Sequence, residues 1–320
     1  MRGGVVMSKY MKYVNLIVFV IIVAIAFNTD YNPFATNDIQ TISTVTKSED
    51  VLYKEIQEKS STYAEAPQNA VIDRVWKKTP GRNGIKVNIE KSYQRMKKDG
   101  VFNQSLLVYD QVTPEVNLNE LPASPIFRGH PDKKMVSLLI NVSWGTENIP
   151  KILETLKENK VKATFFIEGK WAKENAEYVK MIDEQGHIIG NHAYNHPNMA
   201  RLSYQENAEQ ISQTNEILKA ITGKKTKWFA PPSGSYTDEV VKAAHDMNME
   251  TILWTVDTID WKNPSVSVML NRVNGKLHGG ATILMHPTPP IAKGLDALIK
   301  DIKAKDYQIG TIESLLNEER

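Results

Sequence analysis

From Met135 to the end of the chain, short apolar runs alternate with longer amphipathic stretches in a pattern that few folds accommodate. Strand-like runs fall at Val136–Val142, Ala163–Ile167, His187–Ile189, Thr226–Phe229, Thr251–Val256, Ala281–Met285 and Tyr307–Ile312. Helix-like segments stand between them, at Ile149–Asn159, Ala172–Glu184, Tyr204–Thr222, Thr237–Met247, Val266–Lys276 and Gly294–Lys303. Seven strands alternating with six helices predict a parallel sheet, either an α/β barrel or a doubly wound sheet. In both architectures functional groups gather at the carboxyl ends of the strands.

The chemically distinctive clusters obey that rule. Ser143-Trp144-Gly145, His192 with His196, Pro231-Pro232-Ser233-Gly234, Asp257-Thr258-Ile259-Asp260-Trp261 and His286-Pro287 each begin within a few residues of the end of a different strand. His192 and His196 lie in Gly190-Asn191-His192-Ala193-Tyr194-Asn195-His196-Pro197, directly after a strand. Asn195 and Pro197 are poor helix formers, so the pair belongs to the turn. Two neutral imidazoles so close can share one metal ion.

Composition narrows the chemistry. There is no cysteine, so thiolate catalysis, disulfides and cysteine-held zinc are excluded, and a metal would have to be held by His, Asp or Glu. A net charge of +2, from 39 basic and 37 acidic residues, gives no electrostatic reason to expect nucleic-acid binding.

The chain divides into four parts. Residues 1–28 read as a signal peptide or membrane anchor: Arg2, Lys9 and Lys12 precede the apolar run Val14 to Phe27, and Ala24-Ile25-Ala26 suits a cleavage site. The run is shorter than the roughly 20 residues of a comfortable span. The rest of the chain is therefore placed outside the cytoplasmic membrane, secreted or anchored at the cell wall, with membrane contact only through this segment. Residues 29–70 read as a polar tether with one helix from Ser48 to Lys59. Residues 71–125 read as a small α/β module, with a short helix over Val71–Trp76, a turn at Pro80–Gly84, a strand at Ile85–Ile89, a helix at Glu90–Lys98 and a strand at Leu106–Tyr109. Residues 126–320, after a proline-rich connector, carry the chemistry.

Met135 to Leu315 resembles the polysaccharide deacetylases, the NodB-homology domain of carbohydrate esterase family 4. The resemblance rests on Lys162-Ala163-Thr164-Phe165-Phe166, on the two-histidine motif, on Phe229 to Gly234, on Asp257 to Trp261 and on Leu284-Met285-His286. It implies a distorted seven-stranded β/α barrel, here preceded by the small α/β module. It also implies His192 and His196 as ligands of a divalent ion, usually zinc, and His286 as catalytic acid oriented by Asp260. Pro231, Pro232, Ser233, Trp261 and Leu284 fall at its substrate-binding positions. The implied substrate is peptidoglycan or a related N-acetylated polysaccharide. The N-terminal parts resemble the sporulation-associated branch of the family.

Two departures touch the chemistry. Where the family reads T-F-D-D-G, with a general base followed by a metal ligand, this chain has Asn141-Val142-Ser143-Trp144-Gly145. Where the family supplies an Arg beside the base, the chain has Ala230. Ser143 stands in the base position without a carboxylate's basicity, and Trp144 offers no metal-ligating atom. An Arg kept without its Asp would be an unpaired buried cation, so the two losses belong together. With two protein ligands the ion would be weakly held. Two functions follow: weak N-deacetylation of N-acetylglucosamine units, or, alternatively, a catalytically inactive glycan-binding pseudoenzyme at the cell wall with a role in sporulation.

Other candidates have plain structural alternatives. His187 reads as a core residue, and His130, His245 and His278 as linker or helix residues. Asp257 reads as a turn cap, with Asp260 the functional carboxylate. Trp261 is either core or a sugar-stacking platform. Glu147 is either a displaced base or a solvated residue opening the next helix.

Overall fold

The computed structural model describes residues 13–14, 16–21 and 50–320. The candidate cleavage site Ala24–Ala26 and residues 29–49 of the expected tether lie outside the described residues. Residues 13–14 and 16–21 are helical and exposed, and among the described residues no helix is long and apolar enough to cross a membrane.

Helix α1 (Val51–Lys59) begins at Asp50, whose carboxylate accepts the Leu52 and Tyr53 amides, and it buries Leu52 and Ile56. Strands β1 (Val71–Asp73) and β2 (Lys77–Thr79) form an antiparallel hairpin. Strand β3 (Gly84–Val87), helix α2 (Ile89–Met96) and strand β4 (Tyr109–Val112) follow, with β3 and β4 paired antiparallel. Leu52 and Ile56 of α1 pack with Val87, Met96 and Leu107, so α1 shares a core with β3 and α2. The helix expected over Val71–Trp76 is instead the β1–β2 hairpin. Asp73 Oδ1 accepts the amides of Val75 at 2.7 Å and Trp76 at 2.6 Å, and Lys77 turns at φ 58°, so a side-chain-capped turn wins over helix propensity.

The remaining strands are β5 (Met135–Val142), β6 (Thr164–Ile167), β7 (Ile188–Asn191), β8 (Trp228–Phe229), β9 (Glu250–Thr251), β10 (Val256–Asp257), β11 (Thr282–Met285) and β12 (Gln308–Gly310). All pair in parallel, in the order β10-β11-β5-β6-β7-β8-β9, with β12 beside the start of β5. This is a curled, incompletely closed barrel. The helices are α3 (Ile149–Glu158), α4 (Gly169–Glu174), α5 (Ala176–Glu184), α6 (Tyr204–Thr222), α7 (Asp238–His245), α8 (Val266–Asn274), α9 (Pro289–Ala304) and α10 (Ile312–Leu316). Their starts are conventional: Ser203 and Glu206 form a capping box on α6, and Thr237 caps α7.

Strand β5 is buried on both faces, as a central parallel strand must be. Val136, Leu138, Ile140 and Val142 face the helix layer, and Leu139 faces inward with Phe166, Ala230 and Ile252. Asn141 shares the parity of Leu139, which turns its side chain to the barrel interior.

Two elements break where the sequence suggested continuity. The strand expected over Thr251–Val256 is split into β9 and β10, which lie at opposite ends of the sheet path. Between them the Leu253 amide donates to Ile126 O at 2.8 Å, and the Ile126 amide donates to Thr251 O at 2.8 Å. The connector thus takes the place of a neighbouring strand while the chain crosses the open seam. The helix expected over Ala172–Glu184 is broken at Asn175, which lies at φ −132°, and its amide group donates to Trp171 O at 2.9 Å.

Candidate functional site

The carboxyl ends of β5, β7, β10 and β11 and the loop after β8 surround a cavity of about 560 Å³. His192, His196, His286, Ser233, Trp261 and Leu284 border it, as does Asp257. Trp144, Trp254 and Asn141 complete the wall. Pro231 and Pro232 are buried beside it and set up the short turn carrying Ser233, which lies at φ 55°. Asp260 is fully buried behind His286.

Backbone strain concentrates here. Ala193 (φ 60°), His196 (φ 57°), Ser233 (φ 55°) and Ile259 (φ 52°) all adopt left-handed conformations, costing about 1–3 kcal/mol each. For β-branched Ile259 this is a genuine outlier, and it is held by the Asp257 carboxylate, which accepts the Ile259 amide at 2.8 Å. Asp257 therefore caps the turn that presents Asp260.

Asp260 accepts hydrogen bonds from Thr258 Oγ1 at 2.6 Å, Thr288 Oγ1 at 2.7 Å and the His286 amide at 3.1 Å. His286 Nδ1 lies 3.1 Å from Asp260 Oδ1. Burial alone would push the Asp260 carboxyl up, but His286, Thr258 and Thr288 together outweigh it and the net shift is downward. A carboxylate so held fixes the His286 ring, with Nδ1–H toward Asp260 and Nε2 free for the cavity.

His192 is buried, and its Nδ1–H donates to Ala230 O at 2.7 Å, leaving Nε2 free. The His192 and His196 rings meet edge to face with centroids 5.2 Å apart. Burial, reinforced by His196, holds His192 down to about 3, and burial also lowers His196, so both rings are neutral, as ligands must be. A third donor is missing. Among the described residues no group of three or more His, Cys, Asp or Glu is placed to hold a metal ion. The donor set does not fit a catalytic zinc, which takes three protein ligands and a water.

Trp144 occupies the position expected of the further ligand. Its indole stacks on the His286 imidazole, with centroids 5.1 Å apart and planes inclined by 18°, and the residue borders the cavity and is 43% exposed. Gly145 makes this close approach feasible. It lies at φ 75°, and a Cβ there would sit 1.9 Å from Pro287 O. The loops after β5 and β11 therefore touch backbone to backbone, and Asn148 Nδ2 adds a hydrogen bond to Pro287 O at 3.1 Å.

Ser143 does not border the cavity. Its hydroxyl is buried beside the Glu168 carboxyl, which burial pushes up and the hydroxyl pulls only partly back. Glu168, the residue after β6, is 8% exposed and went unnoticed in the sequence, although the strand-end rule points to it. Asn141 and Trp254 were likewise unassigned. Glu147 is exposed, takes a hydrogen bond from Asn148 at 3.1 Å and does not reach the cavity wall. The other histidines have structural partners or surface positions. His187 Nδ1 accepts the Ala163 amide, His130 pairs with Gln68, His278 bonds Thr255 and Gly279, and His245 is exposed at the end of α7.

Residues 128–252 match the family described as Polysaccharide deacetylase. The chain is 49% identical over 315 residues to the Bacillus subtilis (strain 168) protein described as "Uncharacterized protein YlxY", covering 97% of this chain and 99% of that one. It is 38% identical over 194 residues to a peptidoglycan-N-acetylglucosamine deacetylase of Bacillus cereus, covering 59% and 70%. Among solved structures, it is similar to BA3943 of Bacillus anthracis, described as a CE4 family pseudoenzyme, at 53% identity and TM-score 0.80 over 84% of this chain and 96% of that one. A mutant of BA3943 with restored enzymatic activity superposes equally well, with TM-score 0.80 and 52% identity over 84% of this chain and 99% of the mutant.

Proposed function

We propose, from the premise that this chain belongs to the polysaccharide deacetylase family (carbohydrate esterase family 4), that it binds N-acetylated cell-wall glycan in the barrel-mouth cavity and deacetylates it weakly or not at all. The observation that carries this is Trp144 stacked on His286. The indole supplies an apolar face where the family's chemistry calls for a metal-binding carboxylate. Ser143, at the base position, faces Glu168 and not the cavity. Three tryptophans, Trp144, Trp254 and Trp261, border the cavity and suit the apolar face of a pyranose ring. The likeness to a described pseudoenzyme at 53% identity supports the same view.

A slow residual deacetylation is favoured by one feature, the intact Asp260–His286 pair, which is the proton-donating half of the family's apparatus. Family members are metal-dependent in general, and here His192 and His196 would hold an ion weakly. The glycan substrate of the related deacetylases and the apolar N-terminal run support a place outside the cytoplasmic membrane, at the wall.

Co-sedimentation of the purified protein with peptidoglycan sacculi tests the proposal. The protein should pellet with N-acetylated sacculi, and a variant with Trp144 and Trp261 both changed to Ala should remain in the supernatant. Wild-type protein left in the supernatant contradicts glycan binding.

A further inference from the structure

Asn141 is the polar group in the cavity wall that the family chemistry leaves unexplained. It is 3% exposed, it points to the barrel interior from the penultimate position of β5, and its Oδ1 is buried with no hydrogen-bond partner in the protein. Among the described residues that border the cavity, Asn141 alone has a buried side-chain atom without a partner; Ser143 Oγ, also unpaired, lies outside the wall beside Glu168. Asp260 has its threonines and His286, His192 has Ala230 O, and Asn191 donates to Ile211 O and Asn215 Oδ1. Leaving a buried amide oxygen unpaired is costly, so in a finished core such a group would be paired or replaced by an apolar residue. Asn141 borders the cavity, so its carboxamide is placed where a ligand that displaces the local packing can pair it.

The chemistry of that ligand follows from the side chain. A carboxamide presents one donor and one acceptor fixed in a plane, whichever way the amide is turned. Its complement is another amide, whose N–H and C=O answer both at once. The walls above it, Trp144 and Trp261, offer exposed indole faces that fit a sugar ring. We propose that Asn141 is the residue that reads the acetamido group of the bound sugar, so that the cavity selects N-acetylated over free-amine hexosamine units. This rests on the glycan-binding function proposed above and names the residue that makes it selective for acetylation. A free amine is protonated at neutral pH. It has no carbonyl to accept from Asn141, and its charge would have to be desolvated against tryptophan and leucine.

Tryptophan fluorescence titrations of the full chain, in the presence of a chelator, with the N-acetylglucosamine tetramer and the glucosamine tetramer test this. Wild type should prefer the acetylated tetramer by about tenfold or more. The near-isosteric Asn141→Leu variant should bind the two tetramers alike. Its thermal midpoint should equal or exceed that of wild type, because no protein hydrogen bond is lost and a buried orphan is removed. Asn141→Ala should show the same loss of preference, which covers the case in which leucine does not fit. Retention of the preference by either folded variant overturns the proposal, as does a large fall in midpoint for both, which would make Asn141 a structural residue. Wild type that binds neither tetramer overturns glycan binding as a whole, and wild type that binds both equally overturns the role of Asn141 alone.

Discussion

Replacing Ser143 by Asp restores the family's base in name, but the fold places that position against Glu168. Burial already pushes the Glu168 carboxyl up, and only the Ser143 hydroxyl and Lys170 oppose it. Exchanging the hydroxyl for a carboxylate turns a helpful neighbour into a repelling one. Two unit charges about 4 Å apart at an effective dielectric near 20 repel by about 4 kcal/mol. At about 1.4 kcal/mol per tenfold, the second proton is held about a thousandfold more tightly than by an isolated carboxyl. In S143D the two carboxyls should therefore share one proton near neutrality, and the new base is occupied when it is needed. The double variant S143D/E168Q removes the repulsion while keeping the shape. Carboxyl carbon NMR of Asp- and Glu-labelled protein reads this directly, with or without turnover. The single variant should titrate in two coupled steps, one moved strongly toward alkaline pH, and the double variant should lose the alkaline step. Acetate release, where general-base catalysis is worth about 10²–10⁴-fold, should fall with decreasing pH much earlier in the single variant. A carboxyl at position 143 that titrates alike in the two variants would refute the placement of Ser143 beside Glu168.

Three further outcomes are expected. Adding Ala230→Arg, the change the family motif suggests, should cost about 1–3 kcal/mol in chemical unfolding, because Ala230 is 1% exposed among apolar neighbours; an unchanged midpoint would mean that the inner cluster has room for a guanidinium. Gly145→Ala should lower stability by about 3 kcal/mol or more, since the methyl meets Pro287 O on a backbone already at φ 75°, and a thermal midpoint equal to wild type contradicts that contact. His187 is held at about 4, against an ordinary 6.5, first by burial and then by Lys162. The unfolded chain therefore binds a proton that the native state refuses, so stability is full above about pH 6.5 and falls as pH drops toward 4. Between pH 8 and pH 5 this residue costs about 2 kcal/mol, and a His187→Phe variant with undiminished pH dependence in urea unfolding would contradict it.

Much of this molecule could be read from one sequence because hydrophobic periodicity and the strand-end rule are properties of the local chain. The apolar runs ending at Val142, Ile189 and Met285 locate Trp144, His192 and His286 without any knowledge of their neighbours. What escaped depends on side-chain capping that no periodicity encodes or on partners distant in sequence. The β1–β2 hairpin over Val71–Thr79 looked helical because its turn is set by the Asp73 side chain. The break between β9 and β10 is made by Ile126, which lies outside both strands. Glu168 drew no attention in the sequence because only the fold sets it against Ser143. The Trp144–His286 stack joins positions from two strands, which no periodicity encodes.

Acetate released from N-acetylated peptidoglycan by the purified wild-type chain, with divalent metal added, tests the central claim most directly. Loss of the base alone predicts a rate about 10²–10⁴-fold below that of the related Bacillus cereus peptidoglycan-N-acetylglucosamine deacetylase measured beside it, on glycan that the protein nevertheless binds. A rate comparable to that enzyme would contradict it, and would mean that Trp144 and Ser143 stand beside a working base and metal site.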